Sequence, residues 1–307
     1  MDPRNMTDTQ NEGLLIVGED LCEKLVGRSD AFEAVEAVFS AMARGDAHNF
    51  PVIREAIGYA DALYGFKSGF DRAGKVLGLK SGGFWPGNMA KGLTNHQSTV
   101  FLFDPDTGKL AALVGGNYLT AVRTAASSSV SISHLARKDC KVLGMVGAGH
   151  QSHFQLRAAA EQRDFEKVVA WNPHADMLAR LGETAKELGL DFEAVTQQEL
   201  GAQSDVIITI TSAFEPLLMK DWIKPGTHIA CMGTDTKGKM EVDAALVASA
   251  TVFTDEVAQS ISIGEAQHAI ASGAITESQI IPIGKVINKD HAGRTSDAEV
   301  TLFDGTG

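Results

Sequence analysis

From residue 141 onwards, short apolar runs alternate with longer segments in which apolar residues recur every three or four positions. Runs of the first kind predict buried strands, and segments of the second kind predict amphipathic helices. The predicted strands are 141–146, 167–171, 205–211, 227–231 and 251–254. The predicted helices are 151–163, 174–188, 242–249 and 256–271. Such regular alternation favours an α/β fold with a doubly wound parallel sheet.

The part of the chain before residue 141 follows a different pattern. A helical pattern ends at Gly45, and short strands and turns follow from residue 50 to 116. Apolar runs at 99–103 and 109–114 flank a turn-forming segment, which predicts a hairpin. A long helix is predicted over 119–135. This part is therefore expected to be of mixed α+β type.

A glycine-rich turn joins the first predicted strand of the alternating region to its first helix. It reads Gly147-Ala148-Gly149-His150-Gln151-Ser152. The first glycine allows a tight turn, and the second lets the backbone approach a pyrophosphate, whose charge meets the free N–H groups at the helix start. Ser152 replaces a third glycine and is small enough for close packing. The turn predicts a dinucleotide site in a Rossmann domain, although similar turns occur in other α/β proteins.

The residue after the second predicted strand of this region bears on the choice of dinucleotide. An acidic residue there would bind the ribose hydroxyls, whereas an arginine would favour a 2′-phosphate. The chain has Asn172 at this place, followed by Pro173 rather than by arginine. We therefore expect Asn172 to contact the ribose and NAD to be the cofactor, with NADP as the alternative.

The composition and net charge limit the kinds of molecule that this protein is expected to bind. The 307 residues carry a net charge of −12, which disfavours nucleic acid and anionic membranes but allows a small anionic substrate in a local cationic pocket. Cys22, Cys140 and Cys231 fit the spacing of neither a disulfide framework nor a zinc site, so no metal is expected. The chain has no apolar run of membrane-spanning length and its polar start lacks a signal peptide's core, which predicts a cytoplasmic protein.

Several side chains could carry chemistry on an anionic substrate. Lys80 lies in an apolar, glycine-rich setting, and Arg123 lies near the start of a predicted helix, where its guanidinium group suits a carboxylate. Asp235 follows the strand at 227–231, at the end of the sheet where open parallel sheets bind ligands. The remaining candidates are Arg54, Lys67 and His96. Each of these six candidates has a plainer alternative. The four basic residues could be surface charges, Asp235 could cap a turn, and His96 could be a structural histidine.

Six stretches of the chain match one known family in combination. They are Leu79-Lys80 with Pro86-Gly-Asn88, Val100–Asp104 with Thr107-Gly108, Leu119–Ala126, Gly147–Ser152, Gly233–Lys239 with Glu241, and Glu299–Phe303. Over about residues 30–307 the sequence resembles the ornithine cyclodeaminase and mu-crystallin family. Lys67 departs from that pattern, since many relatives have an apolar residue there.

The resemblance implies a homodimer built from two kinds of domain. Residues 1–128 with 299–307 are expected to form a substrate-binding and dimerisation domain, in which 1–13 is a flexible tail. Residues 129–298 are expected to form the inserted Rossmann domain. The resemblance further implies a helix after the position of residue 307.

The resemblance also implies roles for individual residues. Arg54, Lys80 and Arg123 correspond to the cations that bind the substrate carboxylate and take part in catalysis, and Asp235 corresponds to the acid/base carboxylate. The expected cofactor contacts are Thr124, Gly147, Gly149, His150, Gln151, Ser152, Asn172, Thr211, Ser212, Met232 and Gly233.

The expected activity is the reduction of an imino acid by NAD(P)H. Iminosuccinate would accept a hydride at its imine carbon and a proton from Lys80 or Asp235, giving L-aspartate. A dicarboxylate needs a second cationic anchor, for which we expect Lys67 with His96. The alternatives are an ornithine or lysine cyclodeaminase, an alanine dehydrogenase, a cyclic ketimine reductase and a ligand-binding protein of the crystallin type.

Overall fold

The computed structural model describes residues 13–307, and they form two compact units. Among the described residues, the mixed-sheet unit comprises Gly13–Val26 together with Ala47–Thr120. The Rossmann unit comprises Gly27–Asp46 and Ala121–Gly307. The tail expected at 1–13 lies, apart from Gly13, outside the described residues.

The mixed-sheet unit is a seven-stranded sheet with one short helix. The strand order is β1-β7-β6-β5-β4-β2, and β3 also pairs with β4. Only β1 and β7 pair in parallel; the other pairs are antiparallel. The predicted hairpin is confirmed as β6 and β7. The elements are β1 (Leu15–Val17), α1 (Glu19–Leu25), β2 (Ala47–Asn49), β3 (Ile53–Ala56), β4 (Leu63–Asp71), β5 (Val76–Phe84), a 3₁₀ turn (Met89–Lys91), β6 (His96–Phe103) and β7 (Leu110–Gly115).

The Rossmann unit holds an eight-stranded sheet in which every pair is parallel. Its helices and strands up to the middle of the sheet are α2 (Arg28–Arg44), α3 (Asn117–Leu135, in this unit from Ala121), β8 (Val142–Val146), α4 (Ser152–Ala160), β9 (Lys167–Trp171), α5 (Leu178–Glu187, after a 3₁₀ turn at Ala175–Met177), β10 (Asp191–Ala194), α6 (Gln197–Gln203) and β11 (Val206–Thr209). The rest are a 3₁₀ turn (Lys220–Trp222), β12 (His228–Cys231), α7 (Ala244–Ser249), β13 (Thr251–Thr254), α8 (Val257–Ser260), α9 (Gln267–Ala271), a 3₁₀ turn (Glu277–Gln279), β14 (Ile280–Pro282), α10 (Ile283–Ile287) and β15 (Thr301–Asp304).

The strand order of this sheet contains a switch point. The order is β10-β9-β8-β11-β12-β15-β13-β14, so the chain moves outward from β8 in one direction and then restarts at β11 on the other side. In a doubly wound sheet, ligands bind in the crevice at the carboxyl ends of the two strands that flank such a point. The α/β fold class predicted from the alternating pattern is confirmed.

The five strands predicted in this region are confirmed as β8, β9, β11, β12 and β13. The single helix predicted over 256–271 is wrong, because α8 and α9 are separate helices. Between them Gly264 is closely packed: a Cβ atom there would lie 2.5 Å from Asp304 Oδ2 and 2.7 Å from Ser260 Cα. Tertiary packing at this glycine overrides the apolar periodicity that predicted one helix.

The end of the chain was assigned to the wrong unit. Residues 299–307 were expected in the first domain, but β15 lies between β12 and β13 in the parallel sheet. All four of its residues are fully buried, as is usual for a strand covered on both faces of a parallel sheet. Helix α2 also belongs to the Rossmann unit, where the Phe39 carbonyl oxygen would be only 2.0 Å from a Cβ atom at Gly284.

The described part of the chain has no helix that is both long and apolar enough to cross a membrane.

Truncation of Phe303 tests the central position of β15. Phe303 is fully buried, and its ring centroid lies 6.3 Å from that of Phe39. Phe303→Ala should destabilise the protein by about 3–5 kcal/mol, because it removes a large buried ring. Phe214→Ala, at a side chain that is 60% exposed, is the matched control. Thermal unfolding should show a large decrease in Tm for the first variant alone; equal decreases would contradict the central placement.

Candidate active site

Four predicted site residues meet in one pocket of the mixed-sheet unit. Arg54, Lys67, Lys80 and His96 line this basic pocket together with Val52, Ile53, Phe66 and three glycines. None of the described residues that line it is Asp or Glu. The pocket therefore suits an anionic ligand, which the positive charges of its lining would attract.

The strand register explains why these side chains share a face. Lys67 of β4 lies directly opposite Lys80 of β5, and Arg54 of β3 lies opposite Gly65. Because side chains alternate between faces with a period of two, Gly65 and Lys67 point the same way, and so does Arg54. His96 of β6 pairs with Phe84, four residues after Lys80, and it therefore joins the same face.

Paired glycines form the floor between these cations. Gly65 and Gly82 lie opposite each other on β4 and β5. A Cβ atom at Gly65 would lie 1.9 Å from the Ile53 carbonyl oxygen, and one at Gly82 would lie 2.4 Å from that of Gln97. A side chain at either position would force neighbouring strands apart, so the glycines allow both the close strand packing and the open pocket.

The amine of Lys80 is held in place by hydroxyl groups. Its Nζ donates to Thr120 Oγ1 over 3.2 Å, and Thr120 Oγ1 lies 3.3 Å from Ser98 Oγ. The backbone N–H of Ser98 in turn donates to Asn117 Oδ1 over 2.8 Å. This contact chain orients the side-chain nitrogen of Lys80.

In the Rossmann unit, the glycine turn lies at the switch point. Gly147 has a φ of +105°, and a Cβ atom there would lie 2.6 Å from the Ile210 carbonyl oxygen. The turn after β8 therefore packs directly on the segment after β11, which only glycine permits. At Gly149 a Cβ atom would meet no atom within 4 Å. That position faces open space, as close approach of a ligand to the backbone requires.

Side chains around the turn hold its shape. Ser152 is buried, and its hydroxyl donates to the Gly149 carbonyl oxygen over 2.8 Å. Asn172 Oδ1 accepts from the Ala148 N–H over 3.1 Å, and its Nδ2 donates to the His174 carbonyl oxygen over 2.8 Å. Asn172 thus fixes the turn, a role the sequence did not indicate, and its contact with a ribose stays a prediction.

The other expected cofactor residues lie at the same edge of the sheet or on α3. Gln151 precedes α4. The next residue back, His150, is exposed at the surface, yet desolvation by neighbouring atoms and then the charge of Arg180 lower its pKa. Thr211 and Ser212 follow β11, Met232 and Gly233 follow β12, and Thr124 is buried on α3.

Arg123 and Asp235 are linked electrostatically within the Rossmann unit. Burial lowers the pKa of Arg123, and the negative charges of Asp255 and then Asp235 oppose that shift. Arginine stays cationic in proteins, so these carboxylates stabilise a buried charge. Asp235 Oδ1 also forms an ion pair with Lys239 Nζ at 2.8 Å, and Lys239 Nζ donates to the Gly233 carbonyl oxygen. Sequence reasoning assigned no role to Lys239 or Asp255.

Glu241 is a further residue that sequence reasoning left without a role. Its buried carboxylate accepts four hydrogen bonds: from Thr209 Oγ1 (2.7 Å), Thr211 N (2.6 Å), Thr211 Oγ1 (2.8 Å) and Gly233 N (2.9 Å). It therefore joins the segments after β11 and β12, both expected to contact the cofactor. Its only signal in the sequence was its place in the family motif.

Two more buried acids are linked to Glu241 by hydrogen bonds, one directly and the other through the first. Glu265 accepts from the backbone N–H groups of Glu241 and Val242, both over 2.8 Å, and from the Thr234 hydroxyl. Burial and then the charge of Glu241 raise the pKa of Glu265 to about 8. Asp304 accepts from the Glu265 N–H over 2.9 Å, and burial raises its pKa to about 7. Single acids in apolar segments give no periodic signal, so neither could be identified from the sequence.

Comparison with known proteins places this arrangement in a family. The chain is 64% identical to the iminosuccinate reductase of Paracoccus denitrificans over 96% of this chain and 92% of the relative. The crystal structure of that protein in complex with NAD⁺ matches this fold with a TM-score of 0.91 over 96% and 91% of the two chains.

More distant structures share the architecture. A Δ¹-pyrroline-2-carboxylate reductase of Thermococcus litoralis, solved with NADH and L-proline, is 28% identical with a TM-score of 0.90 over 96% and 92% of the chains. An archaeal alanine dehydrogenase dimer with bound NAD is 29% identical with a TM-score of 0.89 over 96% and 91%. The model of the ornithine cyclodeaminase/mu-crystallin family matches residues 17–307, and the chain belongs to that family.

Proposed function

We propose that this protein reduces iminosuccinate to L-aspartate with NADH. The observation that carries the proposal is the basic pocket, in which Arg54, Lys67, Lys80 and His96 converge without a carboxylate among the described lining residues. Two carboxylates on one small substrate call for more cationic groups than a monocarboxylate does. The 64% identical relative is an iminosuccinate reductase, which supports the same substrate.

The Rossmann unit fits a nicotinamide dinucleotide. The close approach at Gly147 and the open space at Gly149 are what a pyrophosphate at the start of α4 needs. We assign its binding to Thr124, Gly147, Gly149, His150, Gln151, Ser152, Asn172, Thr211, Ser212, Met232 and Gly233. We favour NAD over NADP because Pro173, not an arginine, follows Asn172. The cofactor supplies a hydride to the imine carbon when NADH is bound.

The protein's own residues bind the substrate and move the proton. Arg54 and Arg123 hold the α-carboxylate, and Lys67 with His96 holds the β-carboxylate. Lys80 donates the proton that the imine nitrogen takes up as the carbon receives the hydride. We assign this step to Lys80 rather than Asp235, because an ammonium group has protons to donate, whereas Asp235 accepts a hydrogen bond from the Lys239 ammonium group at 2.8 Å. Asp235 then stabilises the positive charge at the site.

We further propose that the protein is a homodimer formed through the apolar face of its mixed sheet. The side chains of Ile53, Tyr64 and Phe66 alternate with those of the pocket cations along β3 and β4 and so point to the other face, although Ile53 and Phe66 also border the pocket. Their exposed fractions are 54%, 36% and 38%. Exposed apolar residues clustered on one sheet face are typical of an interface. The related archaeal alanine dehydrogenase is described as a dimer.

We propose a cytoplasmic location. Cys22, Cys140 and Cys231 are all buried free thiols, which suits a reducing compartment. Their burial also protects them from oxidation.

A screen of substrates tests the reaction. Purified protein should oxidise NADH when oxaloacetate and ammonia, which form iminosuccinate, are supplied together. Pyruvate or glyoxylate with ammonia, and a preformed cyclic imine, should give much lower rates, because none of them carries the second carboxylate. Oxidation is followed by NADH absorbance. Ammonia release from ornithine without net NADH consumption would instead indicate a cyclodeaminase and contradict the proposal.

Two matched substitutions separate substrate anchoring from proton transfer. Lys67→Met should raise the KM for iminosuccinate about 10- to 100-fold through loss of a charged hydrogen bond. Lys80 lies on β5 directly opposite Lys67. Lys80→Met should lower kcat about 100- to 10,000-fold through loss of the general acid.

Steady-state kinetics measure both effects, and NADH fluorescence titration provides the control. The affinity for NADH should stay unchanged in each variant, since neither lysine is assigned to the cofactor. An unchanged KM in Lys67→Met would place the second carboxylate anchor elsewhere. A large decrease in NADH affinity in Lys80→Met would contradict its role as proton donor.

Sedimentation equilibrium tests the homodimer. The wild-type protein should sediment with twice the mass of one chain, and Ile53→Glu should sediment as a monomer because it buries an unpaired charge at the interface. Phe214→Glu, at an exposed phenylalanine of the Rossmann unit, serves as the control and should remain dimeric. A monomeric wild type, or a dimeric Ile53→Glu variant, would rule out this face.

A further inference from the structure

Three buried acids in the Rossmann unit form a series in which each fixes the backbone of the next. The Asp304 carboxylate, at the end of β15, accepts from the N–H groups of Glu265 and Ala266. The Glu265 carboxylate accepts from the N–H groups of Glu241 and Val242. Glu241 is the last member, and its carboxylate faces the segments after β11 and β12. We call these three residues the acid series.

Two of the four contacts of Glu241 come from equivalent positions after neighbouring strands. Thr211 and Gly233 each lie two residues beyond the ends of β11 and β12, and both donate a backbone N–H to the same carboxylate. A Cβ atom at Gly233 would lie 2.3 Å from the Thr211 carbonyl oxygen and 2.5 Å from Glu241 Oε1. The two segments therefore pack around the carboxylate, and the distance between them depends on it.

The chemistry of these contacts requires a carboxylate. All four partners of Glu241 are donors, two N–H groups and two hydroxyls. An amide in its place would direct an NH₂ group at some of those donors and leave a buried N–H without an acceptor. A carboxylate buried without a cation is costly, which makes it a poor choice if packing alone were needed.

Topology indicates which part of a dinucleotide lies near Glu241. In this fold the pyrophosphate lies at the turn after β8, and the adenosine ribose lies on the β9 side, where Asn172 is found. The segments after β11 and β12 are on the opposite side of β8. They therefore border the nicotinamide half.

From these observations we infer that Glu241 is a positioning residue for the nicotinamide half of the cofactor. In this role it acts through the protein, by setting the spacing of the Thr211 and Gly233 segments. Glu265 fixes the backbone of Glu241, and Asp304 fixes the backbone of Glu265. This inference rests on the proposed dinucleotide function.

The test compares two ligands in the isosteric variant Glu241→Gln. The affinity for NADH should decrease about tenfold or more, because a buried donor loses its acceptor next to the nicotinamide segments. The affinity for ADP-ribose, which lacks the nicotinamide, should stay within about twofold of wild type. Fluorescence titration measures NADH, and competition against NADH measures ADP-ribose. A purely structural role would change both affinities or neither, and either result would overturn the inference.

Two further variants complete the experiment. Glu199→Gln is the matched control, since Glu199 is an exposed carboxylate that also accepts from a backbone N–H and a threonine hydroxyl, those of Thr196. It should leave both affinities unchanged. Thr209→Val removes one of the four donors and should shift NADH affinity in the same direction by a smaller factor, even if Glu241→Gln does not fold. An unshifted NADH affinity in Thr209→Val would count against the inference. Wild-type protein that bound neither ligand would overturn the cofactor assignment and this inference with it.

Discussion

The close contact between Gly147 and the Ile210 carbonyl oxygen is the constraint on which the Rossmann unit depends. It lies where the strand order changes direction, so it joins the β8 half of the sheet to the β11 half. A side chain at residue 147 would push these two segments apart, and the positive φ adds a second reason for glycine. The proposed cofactor site, the segment after β11 and the contacts of Glu241 all follow from this approach.

Charge is distributed unevenly in this protein. The chain as a whole is strongly acidic, yet one sheet face of the mixed-sheet unit presents Arg54, Lys67, Lys80 and His96 together. In the Rossmann unit, by contrast, the acids Glu241, Glu265 and Asp304 are buried, and they accept hydrogen bonds mainly from backbone N–H groups and hydroxyls. The net charge therefore determines the average electrostatic field around the protein, but it does not indicate the charge at an individual site. An anion is repelled by the average field and attracted by the local one.

Sequence reasoning recovered the elements that have a strong local signal. Buried parallel strands are continuous apolar runs, so β8, β9, β11, β12 and β13 were predicted close to their observed bounds. The basic residues of the pocket were also identified, since a lysine such as Lys80 in an apolar, glycine-rich segment is unusual. The sequence could not show which strands pair with each other or which side chains meet in the folded chain. The stretch Glu299–Phe303 was recognised as part of the family pattern, but the neighbours of β15 in the sheet are determined by burial on both faces, which no local pattern encodes. Likewise Glu241 acquires its role from Thr209, Thr211 and Gly233, which reach it only in the folded chain.

The place of β15 has a consequence for the order in which the sheet can assemble. β13 and β14 follow β12 in sequence, but they join the rest of the sheet only through β15, which comes later in the chain. Ribosomal synthesis therefore produces β13 and β14 before the strand that connects them to β12 exists. Pairing Thr301 with His228 closes a long loop, and contacts of such sequence separation are formed slowly. Until then the β12 edge stays unpaired, and the nascent chain must be protected from wrong partners during that interval.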